Sequence, residues 1–209
     1  LQQNVTLREQ SDGDIRGRSL RDLRAEARRS VLRQAYAYTS EYRDVSDVPL
    51  TCSSSLILTG HQPELVHPGV WFKNFLLSEL AGRTASCAVN LLIDNDAVKS
   101  NCVRVPGGTL QRPYVTAVPL DASTPALPYE ARQIEDAAVF SSFAERVCDV
   151  IGSLVPDPLV NQFWPAAVAA GRQHGNLGRA VAQARHVIEG QWGLRTLELP
   201  LSAVCDDTP

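Results

Sequence analysis

Apolar positions follow two rhythms along this chain, one of three and four, the other continuous over short runs. In 19–43, Leu20, Leu23, Ala27, Val31, Ala35 and Tyr38 recur at helical spacing, which predicts a long amphipathic helix. Ser19 with Asp22 resembles a capping box at its start. Residues 55–59 form a short uninterrupted run, as expected of a strand buried on both faces in a parallel sheet. A helix over 70–82 follows, opened after Pro68-Gly69 and stopped by Gly82, with Trp71, Phe72, Phe75, Leu76 and Leu80 as its expected core face. Residues 85–93 form a second strand, completing a βαβ unit whose right-handed crossover places both strands in one parallel sheet. Runs at 101–105 and 114–120 predict two further strands around a turn at Pro106-Gly107-Gly108, the later one ending at an edge with Pro119.

Past Pro128 the rhythm becomes helical, over 131–154, 158–170 and 176–191, and a strand-like run returns at 194–202. Residues 1–18 read as a loose polar arm and 44–54 as a connector containing Pro49. The expected fold class is α/β: a Rossmann-like parallel or mixed sheet with an N-terminal helix and a helical C-terminal portion. Three segments follow: 1–54 as arm and helix, 55–127 as the α/β core, and 128–209 as a helical portion returning to a strand. They form one domain or a fragment of a longer chain.

The 209 residues suffice for one substantial core. A net charge of -3 gives no electrostatic case for nucleic acid or an anionic membrane, and no apolar stretch reaches membrane-helix length. Five cysteines, odd in number and without a CxxC pair, read as reduced thiols in a cytoplasmic protein. The absence of methionine, position 1 included, points to a processed or partial chain. Lys73 and Lys99 are the only lysines, and each follows one of two loops with candidate chemistry.

The first of these loops, 60–73, leaves the carboxyl end of the first strand, where open α/β sheets bind ligands, and opens a helix whose free N–H groups favour anions. Gly60, Gln62, Gly69 and Lys73 would hold a phosphate or carboxylate there, and His61 and His67 would move a proton or meet developing charge. In the second loop, Asp94 and Asp96 stand two apart and should project together, with Asn95 and Lys99 beside them. That pair would bind a magnesium ion, a ribose hydroxyl or a substrate amine, or simply form a solvated turn. No residue set has the spacing of a dedicated metal site. A nucleotide or Mg2+ is compatible with both loops, and a small-molecule substrate is the expected partner, in a monomer or a homo-oligomer.

Thr59-Gly60-His61-Gln62-Pro63, then Gly69 and Lys73, then a strand ending in Asp94-Asn95-Asp96, resembles the opening of the bacillithiol-type cysteine-adding enzymes. The resemblance implies a nucleotidyltransferase-like Rossmann domain and transferase or ligase chemistry on a small anionic or nucleotide-like substrate. His61 and Gln62 stand at the family's two loop glutamines, and Asn95 replaces the histidine of its acidic cluster. The His61-Gln62-Pro63 loop with Gly69 and Lys73 is also similar to the WbqC-like family of transferases. A non-catalytic interaction domain is the competing expectation. It would show dispersed loop residues and an exposed apolar face on the C-terminal helices.

Overall fold

A computed structural model describes residues 2–48, 55–65, 67–123 and 125–206. Where the sequence predicts a loose arm there is a helix, α1 (Gln2–Gln10), and a small antiparallel ribbon, β1 (Asp14–Ile15) and β2 (Arg18–Ser19). The ribbon turns through Arg16 and Gly17, both at positive φ. α2 (Leu20–Ser40) begins where the Ser19 hydroxyl accepts the Arg21 N–H at 3.1 Å. Its buried positions are Leu32, Ala35 and Thr39, whereas Ala27 is exposed. The buried stripe differs from the predicted one because only the second half of α2 lies on the sheet.

The βαβ unit follows as β3 (Leu56–His61), α3 (Pro68–Thr84) and β4 (Cys87–Leu92), with parallel register from Leu56↔Cys87 to His61↔Leu92. β5 (Cys102–Thr109) and β6 (Arg112–Pro119) then form an antiparallel hairpin apart from that sheet. Its tip is Leu110-Gln111, not the predicted turn at Pro106-Gly107-Gly108, which lies inside β5. The Tyr114 ring explains Gly107: an added Cβ would stand 2.6 Å from it. Pro106 is tolerated because every strand of a two-stranded ribbon has a free edge.

After a 3-10 turn at Tyr129–Ala131 come α4 (Ala137–Ser141), α5 (Phe143–Ile151), α6 (Val160–His174), α7 (Leu177–Gln191), β7 (Leu197–Pro200) and α8 (Leu201–Asp206). The helix expected over 131–154 is broken because Arg132 turns inward onto Asp121, and Asp136 opens α4 only afterwards by accepting the Ala138 and Val139 N–H groups. β7 joins β4 in parallel, giving the strand order β3-β4-β7. Of the rest of the strand-like run 194–202, residues 194–196 lie in no element and 201–202 begin α8. The fold is thus mixed α/β with a three-stranded parallel sheet and several helices.

The described residues form two larger hydrophobic clusters and a smaller one of Leu77, Ala81 and Ala88 between α3 and the sheet. Of the larger two, one lies between the sheet and α2, with Leu32, Ala35, Val89, Leu197 and Leu199; the other joins the hairpin to α4–α7, with Val105, Phe140, Phe143, Trp164 and Val181. α3 reverses the predicted core face. It buries Asn74, Leu77 and Ala81, while Phe72, Phe75, Leu76 and Leu80 are exposed. Cys102, Cys148 and Cys205 are free thiols, but Cys87 is disulfide-bonded, against the expectation of reduced thiols throughout. Among the described residues no helix is long and apolar enough to cross a membrane. Part of the predicted connector, 49–54, lies outside the described residues.

Candidate functional site

β3, β4 and β7 run parallel, so their carboxyl ends open on one side of the sheet. A cleft of about 620 Å³ lies there, bordered by Pro63, Asp94 and Ser202 from the segments leaving the three strands. Its far walls come from the end of α2, through Tyr38 and Glu41, and from the tight α6–α7 turn, through His174, Asn176 and Arg179. That turn is set locally. Gly175 leaves α6 at φ +70, and the Asn176 side chain accepts the Arg179 N–H at 2.7 Å to start α7. The Asn176 amide also donates to the Tyr129 and Glu130 carbonyls at 2.8 and 3.0 Å, pinning the 3-10 turn to the same wall.

Charge in the cleft is mixed. Arg179 is ion-paired with Glu41 and lies over the Tyr38 ring at 5.1 Å. Glu130 and Asp206 add carboxylates at the wall. Burial, with the Arg179 charge as a second cause, lowers the His174 pKa, so its imidazole is neutral at pH 7. Its Nε2 is buried and has no hydrogen-bond partner among the described residues. Tyr129 donates to Glu64 at 2.8 Å, and burial followed by that carboxylate raises its pKa. The imidazole lines the cleft beside a cation and several carboxylates, but its partnerless nitrogen is enclosed, so taking a proton from a bound hydroxyl or amine requires the ring to turn toward the cleft.

The residues singled out in the sequence divide into three places. His67, Gly69 and Lys73 stand exposed at the start of α3, where the His67 Nδ1 itself accepts the Gly69 N–H at 3.1 Å. Gly60 is inside β3 against Leu91 and Ile93, with an added Cβ 3.2 Å from both. His61 is buried; its Nδ1 contacts the Gln62 carbonyl at 2.9 Å, and burial and then Arg185 lower its pKa. Asp94 reaches the cleft wall, but both its oxygens accept from Ser202, at 2.9 and 2.5 Å, and so anchor the start of α8. Asp96 instead accepts from Gln62 at 2.8 Å, which lowers its pKa. The two carboxylates therefore serve different partners. Asn95 and Lys99 are exposed.

Beneath the cleft lies a buried polar cluster. Glu198 on β7 and Glu189 on α7 share the Arg185 guanidinium, at 2.5 and 2.7 Å. Asn90 donates to Glu198 at 2.7 Å, and Trp71 and Asn74 donate to Glu189 at 2.5 and 2.8 Å. The His186 Nε2 lies 2.9 Å from an Arg43 N–H, which can only donate, and 3.1 Å from the Thr196 carbonyl, which can only accept, while Nδ1 lies 2.8 Å from the Tyr42 oxygen. His186, Glu189 and Glu198 present ligand atoms within 4.8 Å of one another, a spacing that could hold a cation. Arg185 already supplies the positive charge both carboxylates need, and an imidazole with two carboxylates is a poor set for Mg2+, which favours oxygen ligands. Burial alone would lower the Arg185 pKa, but Glu198 and Glu189 more than offset it and hold it above the ordinary value.

Compared with known proteins, the chain matches no protein-family model and no curated protein. Sequence patterning missed Tyr38, Glu41, His174 and Arg179, whose nearness depends on how α2 meets the α6–α7 turn. It also missed Asn90, Arg185, Glu189 and Glu198. There a signal existed: Asn90 and Glu198 interrupt otherwise apolar strands, CAVNLL and LELP, and a polar side chain in a buried strand requires a partner.

Proposed function

We propose that the cleft at the carboxyl ends of β3, β4 and β7 is a substrate site, and that the chain acts as a transferase- or ligase-type enzyme on a small polar molecule. The carrying observation is the cleft itself, of about 620 Å³, at the position where parallel α/β sheets place their ligands. His174 is the general base and Arg179 the group that meets an anionic end of the substrate. Glu130 and Asp206 favour an amine or hydroxyl at the other end. The likeness of residues 59–73 to the bacillithiol-type and WbqC-like loops supports the reaction class. A nucleotide-like substrate would rest its base or ribose against Tyr129 and Tyr38.

A second reading, a non-catalytic interaction domain, is favoured by one observation: Phe72, Leu76 and Leu80 are 64%, 45% and 37% exposed in a single stripe along α3. Heteronuclear NMR separates the two readings. Titration with amino alcohols, hydroxy acids and nucleotides should shift amide resonances at 94, 130 and 174–179. His174→Ala should abolish turnover of any substrate so found while shifting its Kd less than about tenfold. Shifts confined to 72–80, or none with any compound class, would remove the substrate-site reading.

A further inference from the structure

The two edges of the parallel sheet are treated differently. On β7 the Thr39 hydroxyl accepts the Glu198 N–H at 2.9 Å and donates to the Glu198 carbonyl at 3.2 Å, and the strand ends after four residues at Pro200. β3, at the other edge, is six residues long, and LILTGH holds no lysine, proline or acidic group of the kind that protects an edge strand. The Ser55 and His61 carbonyls accept from Cys87 and Ile93, so in this parallel ladder 57, 59 and 61 bond toward β4. The N–H and C=O groups of Leu56, Leu58 and Gly60 therefore point outward, and no strand among the described residues takes them up.

Apolar side chains stand open on both faces of this same edge. Leu56 packs into the cluster under α2 and Ile57 into the cluster under α3, so Leu58 shares the α2 face. It is 51% exposed because α2 packs on β7, at the far side of the sheet. On the other face, α3 turns Leu77 and Ala81 to the sheet and Trp71 and Asn74 to Glu189 on α7. Helical spacing leaves Phe72, Leu76 and Leu80 on the flank away from α7, where all three are exposed. α7 stands over β4 and β7, held by Arg185 to Glu198, so that flank of α3 overhangs the open edge of β3.

We propose that β3 pairs antiparallel with β3 of a second copy of this chain, joining the two sheets into one. With Leu58 opposite its own counterpart, Leu56 of each copy meets Gly60 of the other, and the outward N–H and C=O groups find partners. The two-fold axis of such a pair runs normal to the sheet. It sets α3 beside α3 on one face and Leu58 beside Leu58 on the other, so each exposed apolar group meets its own copy. A lone foreign strand would close the edge and leave the α3 stripe uncovered. Leu58, Phe72, Leu76 and Leu80, half exposed on average, supply on the order of 300–400 Å² per copy, under half of the roughly 800 Å² per partner of a standard interface. The pair is therefore a weak one that dissociates on dilution. It uses no residue that lines the cleft, so its failure leaves the substrate reading untouched.

Sedimentation velocity on the full chain, from low micromolar to near-millimolar concentration, tests the pairing. The weight-average mass should rise from 22.8 kDa toward twice that value, and hydrogen exchange at the Leu58 amide should slow over the same range. Leu76→Arg brings like charges together where the two α3 helices meet, and Leu58→Lys does so where the strands meet. Each should weaken association at least tenfold. Leu110→Arg at the hairpin tip, where the leucine is 87% exposed, should change it less than twofold. A chain that stays monomeric throughout overturns the proposal. So does association that leaves the Leu58 amide exchanging freely, that ignores Leu76→Arg, or that Leu110→Arg weakens equally.

Discussion

Two buried charged residues organise segments that their local sequence would leave loose. Asp121 accepts from Arg132 at 3.0 Å and from the Glu135 and Asp136 N–H groups at 2.8 and 2.7 Å, so one carboxylate fixes the whole approach to α4. Asp121→Ala should cost about 3–5 kcal/mol in urea denaturation, because it strands a guanidinium that is 1% exposed. A cost below about 1 kcal/mol would show that water replaces the carboxylate. His186 makes a pH-dependent contribution. Burial, with Arg43 adding to it, pushes the imidazole down to about 3. Between that value and the ordinary 6.5 the unfolded chain binds a proton that the folded chain refuses, so stability rises with pH over this window. The contribution is complete above about pH 6.5 and is lost as the pH falls toward 3. His61 and His174 shift in the same direction, so the His186 share must be isolated by mutation. His186→Asn should lower stability at pH 7 yet lose less of it between pH 7 and 4.5 than the native chain. Parallel losses would assign the acid sensitivity elsewhere.

At the scale of elements, α3 gives the sharpest contrast. Leu77 is 3% exposed and Leu76 45%, although the two are adjacent and chemically identical. Leu77→Ala should cost about 2–5 kcal/mol, and Leu76→Ala no more than about 0.5 kcal/mol. Equal costs measured by denaturation would mean that the Phe72–Leu76–Leu80 stripe is covered in solution. The βαβ unit was legible in the sequence because a buried strand, a helix and a second buried strand admit essentially one handed arrangement. The face of α3 was not legible. A helix apolar on most sides carries no moment to orient it, and Asn74 takes an inward position only because Glu189 accepts from it. The hairpin tip was misplaced for a similar reason. Pro106-Gly107-Gly108 has turn chemistry, but the Tyr114 ring uses the missing Cβ of Gly107 inside the strand. Among the site residues, the two loops were legible as positions at strand ends. The cleft was not, because its other wall lies about 80 residues later, at His174 and Arg179.

Over the whole molecule, α7 joins parts that could otherwise unfold separately. One of its faces gives Ala180, Val181 and Ala184 to the core shared with the hairpin and α6. The other gives Arg185, His186 and Glu189 to the polar cluster on β4 and β7. Separating the two halves would expose an apolar face and strand buried charges at once, and both costs fall on a single helix. Unfolding should therefore be one transition, with calorimetric and van't Hoff enthalpies in agreement. A sharper consequence concerns residues that do not touch. Phe143 packs in the helical core and Val89 in the sheet core. Phe143→Leu, a mild shape change, should lower global stability by about 1 kcal/mol. If α7 couples the halves, native-state hydrogen exchange at the Val89 amide should become easier by the same free energy, since its protection reports opening of the whole. If the decrement appears only in α5–α7, the sheet with α2 and α3 is an independent folding unit, and the cleft between the halves opens without unfolding either.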